Sequence, residues 1–303
     1  MADLFPLAET IKGEIRYGVS LSDYTSFHVG GPADSLIFPA DLEDLYKILQ
    51  WCLREKVPCF VLGNGTNLLV RDGGIRGLVI SLSRVLGGIE VVGKDADGLV
   101  RSGAGEALGK LVEFAWKQEL AGLEFAAGIP GTVGGALFMN AGAFQGEMKD
   151  VVESVRFMDA AGKIFTRNRE ECKFSYRSMF LRNGEVILEG RLRLKKGNVQ
   201  EIRNRGEEII RKRLAKHPYD LPSAGSVFKN PPQGPAGKLI EEVGLKGMHI
   251  GDAQVSEKHA NFIVNRGRAR AQDILALIQR IREKVFHEKG IVLETEIRIV
   301  GED

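Results

Sequence analysis

Glycines at 122, 128, 131, 134, 135, 142 and 146 punctuate one short run, GLEFAAGIPGTVGGALFMNAGAFQG, whose charge is confined to Glu124, with Glu147 just beyond it. Glycine is tolerated where the backbone takes a positive φ or lies directly against something bulky, so this density points to sustained close approach. The chemistry such a loop supports is the cradling of an anion or a flat ring system by backbone N–H groups. A flexible linker fits poorly, because Ile129, Val133, Leu137, Phe138 and Met139 are interleaved with the glycines. A second loop of the same kind, Gly63, Asn64, Gly65, Thr66 and Asn67, follows a short apolar strand. It lacks the Gly-Lys-Ser/Thr ending of a Walker loop. Leu68 stands where a dinucleotide fingerprint would need its third glycine.

The elements that must position these loops read as follows. A helix lies in the first fifteen residues, and TSFHVGGPA (25–33) reads as a strand entering a Gly-Gly-Pro turn. Residues 41–56 form a helix capped by Asp41, with Leu42, Leu45, Tyr46, Leu49 and Leu53 as its apolar stripe. Strands alternate with turns over 78–102, and Gly103 and Gly105, a weak signal taken alone, lead into a helix over 108–120. Residues 151–167 read as a hairpin turning between Asp159 and Gly162, and 185–194 as a strand with Val186, Leu188, Leu192 and Leu194 on one face. Many strands and few helices favour α+β over a doubly wound sheet.

A composition shift at 195–198 marks a boundary, followed by a long helix whose Arg203, Arg205, Arg211, Lys212, Arg213, Lys216 and His217 read as a solvated basic face. The stretch 217–235 carries five prolines and no regular pattern, which is uncommon unless it serves a site. A short helix over 238–243, a strand over 261–265, a helix over 271–289 ending at Gly290 and a strand over 291–300 complete a small C-terminal domain. The division expected is 1–72, 73–197 and 198–303.

At 303 residues, 44% hydrophobic and 27% charged, the composition is that of a soluble globular protein with two or three domains. A net charge of +2 and the lack of aromatic residues among the basic ones argue against nucleic acid. No apolar run reaches membrane length, and the N-terminal residues lack a basic segment followed by an apolar core, so a cytoplasmic protein without a membrane partner is expected. Cys52, Cys59 and Cys172 match no metal-ligand spacing and read as reduced packing thiols.

The motifs TSFHVGGPA, LGNGTNLLVRD, GLEFAAGIPGTVGGALFMNAGA, YRSMF, PSAGSVFKNP, AGKLIEEVGLKG, HANFIVN and LETEIRIVG occur in the order seen in the UDP-N-acetylenolpyruvoylglucosamine reductase family. The chain resembles that family over nearly its whole length, in the shorter form that lacks an inserted tyrosine-bearing loop. The resemblance implies an α+β flavoprotein: a two-subdomain FAD-binding region of the vanillyl-alcohol-oxidase type, then a C-terminal substrate-binding domain. It implies noncovalent FAD and NADPH as hydride donor, with a UDP-sugar as substrate, in a monomer of the bacterial cytoplasm. Gly63, Asn64, Gly65, Thr66, Asn67 and Leu68, together with Gly128, Ile129, Pro130, Gly131, Thr132, Gly134 and Gly135, would hold the pyrophosphate and ribityl chain. Asn140, Ala141 and Gly142 would lie along the isoalloxazine, while His28 reads as a core-packing residue.

The reaction implied is reduction of an enolpyruvyl ether to a lactyl ether. It needs a group to stabilise negative charge beside a carboxylate, a proton donor and a dry, fixed geometry. By resemblance the first two fall to Arg177, whose planar fork matches a carboxylate, and to Ser226 as acid, and Glu296 polarises the substrate or relays a proton to it. Strand periodicity puts Glu294, Glu296 and Arg298 on one face and does not choose between the glutamates; the motif chooses Glu296. Tyr176, Asn230, Lys246 and His259 match the family's substrate contacts, and Lys216 is a weaker addition. Two other readings keep the glycine loops: an oxidase or dehydrogenase of the same flavin fold, and a flavin-binding module without turnover. Neither gives a reason for Arg177, Ser226 and Glu296 to occur together.

Overall fold

The computed structural model describes residues 5–93 and 98–303, so part of the N-terminal helix reading and one turn within 78–102 lie outside the described residues. Two compact units emerge, interleaved in sequence. One takes the chain up to Tyr17, Ser35–Asn64 and Gly77–Lys212; the other takes Gly18–Asp34, Gly65–Arg76 and Arg213–Asp303. These units do not divide at 72/73 or 197/198. Their boundaries fall inside the strands Glu14–Ser20, Pro32–Phe38 and Ile75–Ser81, inside the loop 63–67, and inside the helix Val199–Lys216. The composition shift at 195–198 is a local event: Lys195–Lys196 pairs antiparallel with Leu120–Ala121 of the same unit.

In the first unit, a five-stranded antiparallel sheet runs in the order Ile164–Asn168, Val152–Met158, Val186–Arg193, Leu99–Gly103, Ile89–Val91. The hairpin read over 151–167 is its edge, turned where Asp159 N–H donates to the Lys163 carbonyl. Val186, Leu188, Leu192 and Leu194 are buried, as the alternation requires. Cys59–Leu62 runs parallel to Ile75–Ser81, with Cys59 opposite Leu78. The helix Leu42–Glu55 starts where Asp41 accepts from Asp44 N–H, but its inner face is Leu45, Ile48, Leu49, Trp51 and Cys52. Leu42, Tyr46 and Leu53 are exposed, because Trp51 and Cys52 supply the apolar volume on the facing side. The helix expected over 108–120 ends at Lys117. Phe157, Leu137, Val155 and Leu111 are among the fully buried side chains of this core, and each contributes about 1.5–3 kcal/mol of burial free energy.

In the second unit, His249–Ile250, Ala253–Val255 and Ile263–Asn265 form a three-stranded antiparallel sheet. The helix Ala271–Lys289 packs its Ile274, Leu277, Ile278, Ile281 and Val285 into the core and ends at Gly290 with φ +68°. Asp72 accepts from Ala271 and Gln272 N–H, satisfying two otherwise orphan donors of that helix. The stretch 217–235 is irregular, as read.

Residues 25–31 form a turn rather than a strand, closed by Thr25 Oγ1, which donates to the Val29 carbonyl and accepts from its N–H; the strand begins after the glycines, at Pro32. His28 sits exposed in that turn with φ +53°, and its neighbours Phe27 and Val29 do the packing. Of the strand expected over 291–300, only Arg298–Val300 is regular, parallel to Leu68–Val70. Arg213 is buried, not part of a solvated face. Cys52 and Cys172 are buried free thiols.

Candidate active site

In the first unit the two glycine loops meet. A side chain at Gly63 would run into the Thr132 hydroxyl at 2.9 Å, so the lack of a side chain there makes room for Thr132. Thr132 caps the short helix Val133–Phe138 by accepting from Gly135 N–H at 3.1 Å. The run is braced from behind by Ala104 and Glu106, in the segment of the glycine pair that seemed weak in sequence. Gly134 N–H donates to the Ala104 carbonyl and Val133 N–H to the Glu106 carbonyl, both at 2.8 Å, and a Cβ on Gly134 would strike the Ala104 Cβ.

The glycines thus divide by role. Gly134, Gly142 and Gly146 serve self-packing: added side chains would meet Ala104 at 2.9 Å, Glu147 at 2.6 Å and the Phe125 ring at 2.8 Å. Gly63, Gly128 and Gly135 are exposed, with φ +74° at Gly128 and +128° at the half-buried Gly131. Among the described residues, the N–H groups of Gly63, Asn64, Gly128 and Gly131 have no acceptor within the chain. Exposed, unclaimed amides on a backbone that only glycine can trace fit a phosphate-bearing cofactor, and FAD is such a group. Ile129 is half-buried and Pro130 exposed beside them.

Asn140 departs from the sequence expectation in an informative way. Its side chain is 0% exposed, its φ is +41°, and all its amide functions are engaged by protein groups. Nδ2 donates to Glu147 Oε2 at 2.8 Å and to the Ser175 carbonyl at 3.0 Å, while Oδ1 accepts from Lys149 N–H at 2.9 Å. Ala141 and Gly142 are half-buried, and Gly142 pairs with Glu147 in a two-residue hairpin whose tip, Phe144 and Gln145, takes positive φ at both positions. Arg177 occupies the tip of a tight turn, also with positive φ (+56°), closed by reciprocal backbone bonds between Ser175 and Ser178. Its guanidinium carbon lies 5.0 Å from the Tyr176 ring centroid, and Tyr176 is exposed.

In the second unit, Ser226 and Glu296 ride on neighbouring backbone. Glu296 N–H donates to the Val227 carbonyl at 2.7 Å, and Thr295 bridges Phe228. Gly225 turns into Ser226 with φ +76°. Asn67 of the glycine loop reaches the same segment: its Nδ2 donates to the Glu296 carbonyl at 3.2 Å, and its carbonyl accepts from Arg298 N–H. Gly65 of that loop takes φ +61°, and an added Cβ there would strike the Tyr24 carbonyl; Thr66 is half-buried, and Leu68 is buried. Sequence reasoning missed Asn261, which is buried and clamps the Ser226 segment. It accepts from Phe228 N–H at 2.9 Å, donates to the Phe228 carbonyl at 2.8 Å, and offers its own carbonyl to Val227 N–H. The HANFIVN motif contained it, but nothing local marks an asparagine whose partner lies 33 residues away.

His259 belongs to this network, since its Nδ1 accepts from Asn261 N–H at 3.2 Å. Its ring meets His217 edge-on at 5.5 Å and Phe262 at 5.0 Å. Burial, aided by His259, Arg213, Lys258 and Lys216, pushes the His217 pKa down to about 4, and burial also lowers that of His259. Asn230 Oδ1 accepts from Ala236 N–H. Lys246 is exposed and ion-pairs with Glu241 at 2.7 Å, and Glu294 pairs with Lys229 at 3.2 Å.

Residues 33–168 match the domain family described as FAD binding domain, and residues 217–300 match UDP-N-acetylenolpyruvoylglucosamine reductase, C-terminal domain. The chain is 47% identical to the UDP-N-acetylenolpyruvoylglucosamine reductase of Clostridioides difficile over 294 residues, covering 96% of this chain and 95% of that one. It is also similar to the crystal structure of the enzyme of the same name from Thermus caldophilus. There the TM-score is 0.79 at 41% identity, over 95% of this chain and 99% of that chain. BBE-like 1 of Physcomitrella patens, 14% identical with a TM-score of 0.50 over 64% of this chain and 45% of that chain, shares the fold alone. The fold is thus the flavin fold of the vanillyl-alcohol-oxidase type followed by a reductase-specific C-terminal domain. The chain belongs to the UDP-N-acetylenolpyruvoylglucosamine reductase family.

Proposed function

We propose that the protein reduces the enolpyruvyl ether of UDP-N-acetylglucosamine to the lactyl ether UDP-N-acetylmuramate, a peptidoglycan precursor, with NADPH as hydride donor and noncovalent FAD as carrier. When bound, FAD supplies the hydride transfer, taking hydride from NADPH and giving it to the terminal vinyl carbon. The amides around Gly63, Asn64, Gly128 and Gly131 suit its pyrophosphate. Arg177 pairs with the substrate carboxylate and stabilises the negative charge that builds beside it. Ser226 holds the proton delivered to the adjacent carbon: a hydroxyl is a weak acid, but an enolate is a strong enough base to take its proton when positioned. Glu296 orients that hydroxyl or replenishes its proton. Asn230, Lys246 and His259, with Tyr176, are assigned to the sugar nucleotide.

The observation that carries this reading is the bond of 2.7 Å between Glu296 N–H and the Val227 carbonyl, which keeps the proton donor and the carboxylate on adjoining backbone. The test is an anaerobic pair of half-reactions. We expect stoichiometric flavin bleaching by NADPH, then reoxidation on adding the enolpyruvyl sugar nucleotide. The S226A variant should bleach normally and lose at least about 100-fold in reoxidation, in line with the usual worth of general acid catalysis. Reoxidation by oxygen alone, or an S226A enzyme that turns over like wild type, sinks the assignment.

A further inference from the structure

We infer that Asn140 is a positioning residue for Arg177: the glycine run clamps both ends of the Arg177 turn, and Asn140 is the side chain that makes one of the two clamps. The inference rests on the function proposed above, in which Arg177 meets the substrate carboxylate. Asn140 Nδ2 donates to the carbonyl of Ser175, two residues before the arginine. The Phe138 carbonyl accepts from Met179 N–H at 2.9 Å, two residues after it. Positions 138 and 140 of the run thus bond the two flanks of the turn, which closes on itself through Ser175 N–H to Ser178 O at 2.9 Å and Ser178 N–H to Ser175 O at 3.2 Å. Left-handed backbone at Arg177 is unfavourable for a residue with a Cβ, so bonds from outside must hold it.

The orientation of the amide follows from its partners. A carboxylate and a carbonyl can only accept, so both N–H groups of Asn140 face them; Lys149 N–H can only donate, so Oδ1 faces it. Glu147 is held in turn by the Lys149 ammonium. With no exposed surface and no idle donor, the Asn140 side chain has nothing left to offer a flavin ring. Its contact with Ser175 joins the segment that lies beside the cofactor loops to the residue assigned to the substrate. Hydride transfer requires those two to be in fixed register, since small misplacements of reacting groups cost large factors in rate.

The experiment uses the full-length FAD-loaded protein carrying N140D, a near-isosteric change whose carboxylate cannot donate to Ser175. We expect NADPH reduction of the flavin within about twofold of wild type and reoxidation by the enolpyruvyl sugar nucleotide slowed by about 10- to 100-fold. Hydrogen exchange at the amides of Ser178 and Met179 should rise about tenfold while the central strand Val186–Arg193 stays protected. In an R177K background the same substitution should change reoxidation by less than about threefold, because the guanidinium it positions is gone. If R177K alone leaves reoxidation untouched, the proposed function fails and this inference with it. If R177K is crippled but N140D adds its full factor on top, or slows flavin reduction equally, only the positioning role is overturned. Should N140D not fold, N140A is read by the same ratios, and failure of both to fold would assign Asn140 to the core instead.

Discussion

Around Arg177, a side-chain hydrogen bond from the glycine run reaches Ser175 at the start of a four-residue turn, a carbonyl of the run holds Met179 just past its end, and the turn itself is strained. Around Ser226, the backbone is bonded on both sides, to Asn261 and to the Glu296 segment, and Val227 and Phe228 are completely buried core residues. The first arrangement concentrates position in a few polar contacts made by the buried Asn140 and the backbone beside it. The second spreads it over several irregular backbone bonds anchored in a hydrophobic core, where loosening any part costs global stability. The same task of fixing a polar group thus has different failure modes: loss of register in one case, loss of fold in the other.

The largest effect should come from Asn261. In N261A the Phe228 N–H and carbonyl lose buried partners, and the unfolding free energy in urea should fall by about 2–4 kcal/mol, as expected for two unsatisfied buried groups. A loss below about 1 kcal/mol would mean that the Ser226 segment is not held through this side chain. The glycine-run side is sharpened by T132V, which keeps the shape but removes the oxygen that caps Gly135 N–H. About 1 kcal/mol of local stability should go. Fluorescence titration should show FAD affinity weakened about fivefold, the equivalent of that energy, with unfolding of the second unit unchanged.

The smallest effect is a pH dependence on the Ser226 side. His217 has its folded pKa depressed to about 4 from an ordinary 6.5, chiefly by burial. Between those values the unfolded chain binds a proton that the folded one refuses, so stability is complete above pH 6.5 and erodes as pH falls toward 4. His217 is only partly buried, and solvent screening trims the effect to about 1 kcal/mol or less. H217F, which retains the packing against Phe262, should flatten the acid limb of a urea-midpoint profile between pH 6.5 and 4. An unchanged slope would remove His217 from the account.

Local chemistry was legible where a short-range rule governs it. The Asp41 cap, the Asp159 turn of the hairpin and the Gly290 stop of the last long helix each depend on neighbours within a few residues, and each stands where its residues predict. The apolar alternation over 291–300 misled because Leu293 and Ile297 are indeed buried, yet the backbone between them bonds to Val227 and Lys229 irregularly rather than in a ladder. His28 and Arg213 exchanged roles relative to expectation: one is exposed because its turn faces outward, the other buried although it sits in a basic helix.

The sequence by itself determined the family, the flavin fold and the two glycine loops, since ordered motifs and backbone permissiveness are properties of the chain read in one dimension. Tertiary structure alone decided which glycines of the run face outward with unclaimed amides and which are spent on packing against Ala104, Phe125 and Glu147. It also decided that Asn140 turns inward to Ser175, 35 residues away. The physical reason is that a hydrogen bond to a backbone carbonyl is indifferent to the residue that carries it, so the partner leaves no mark in the sequence.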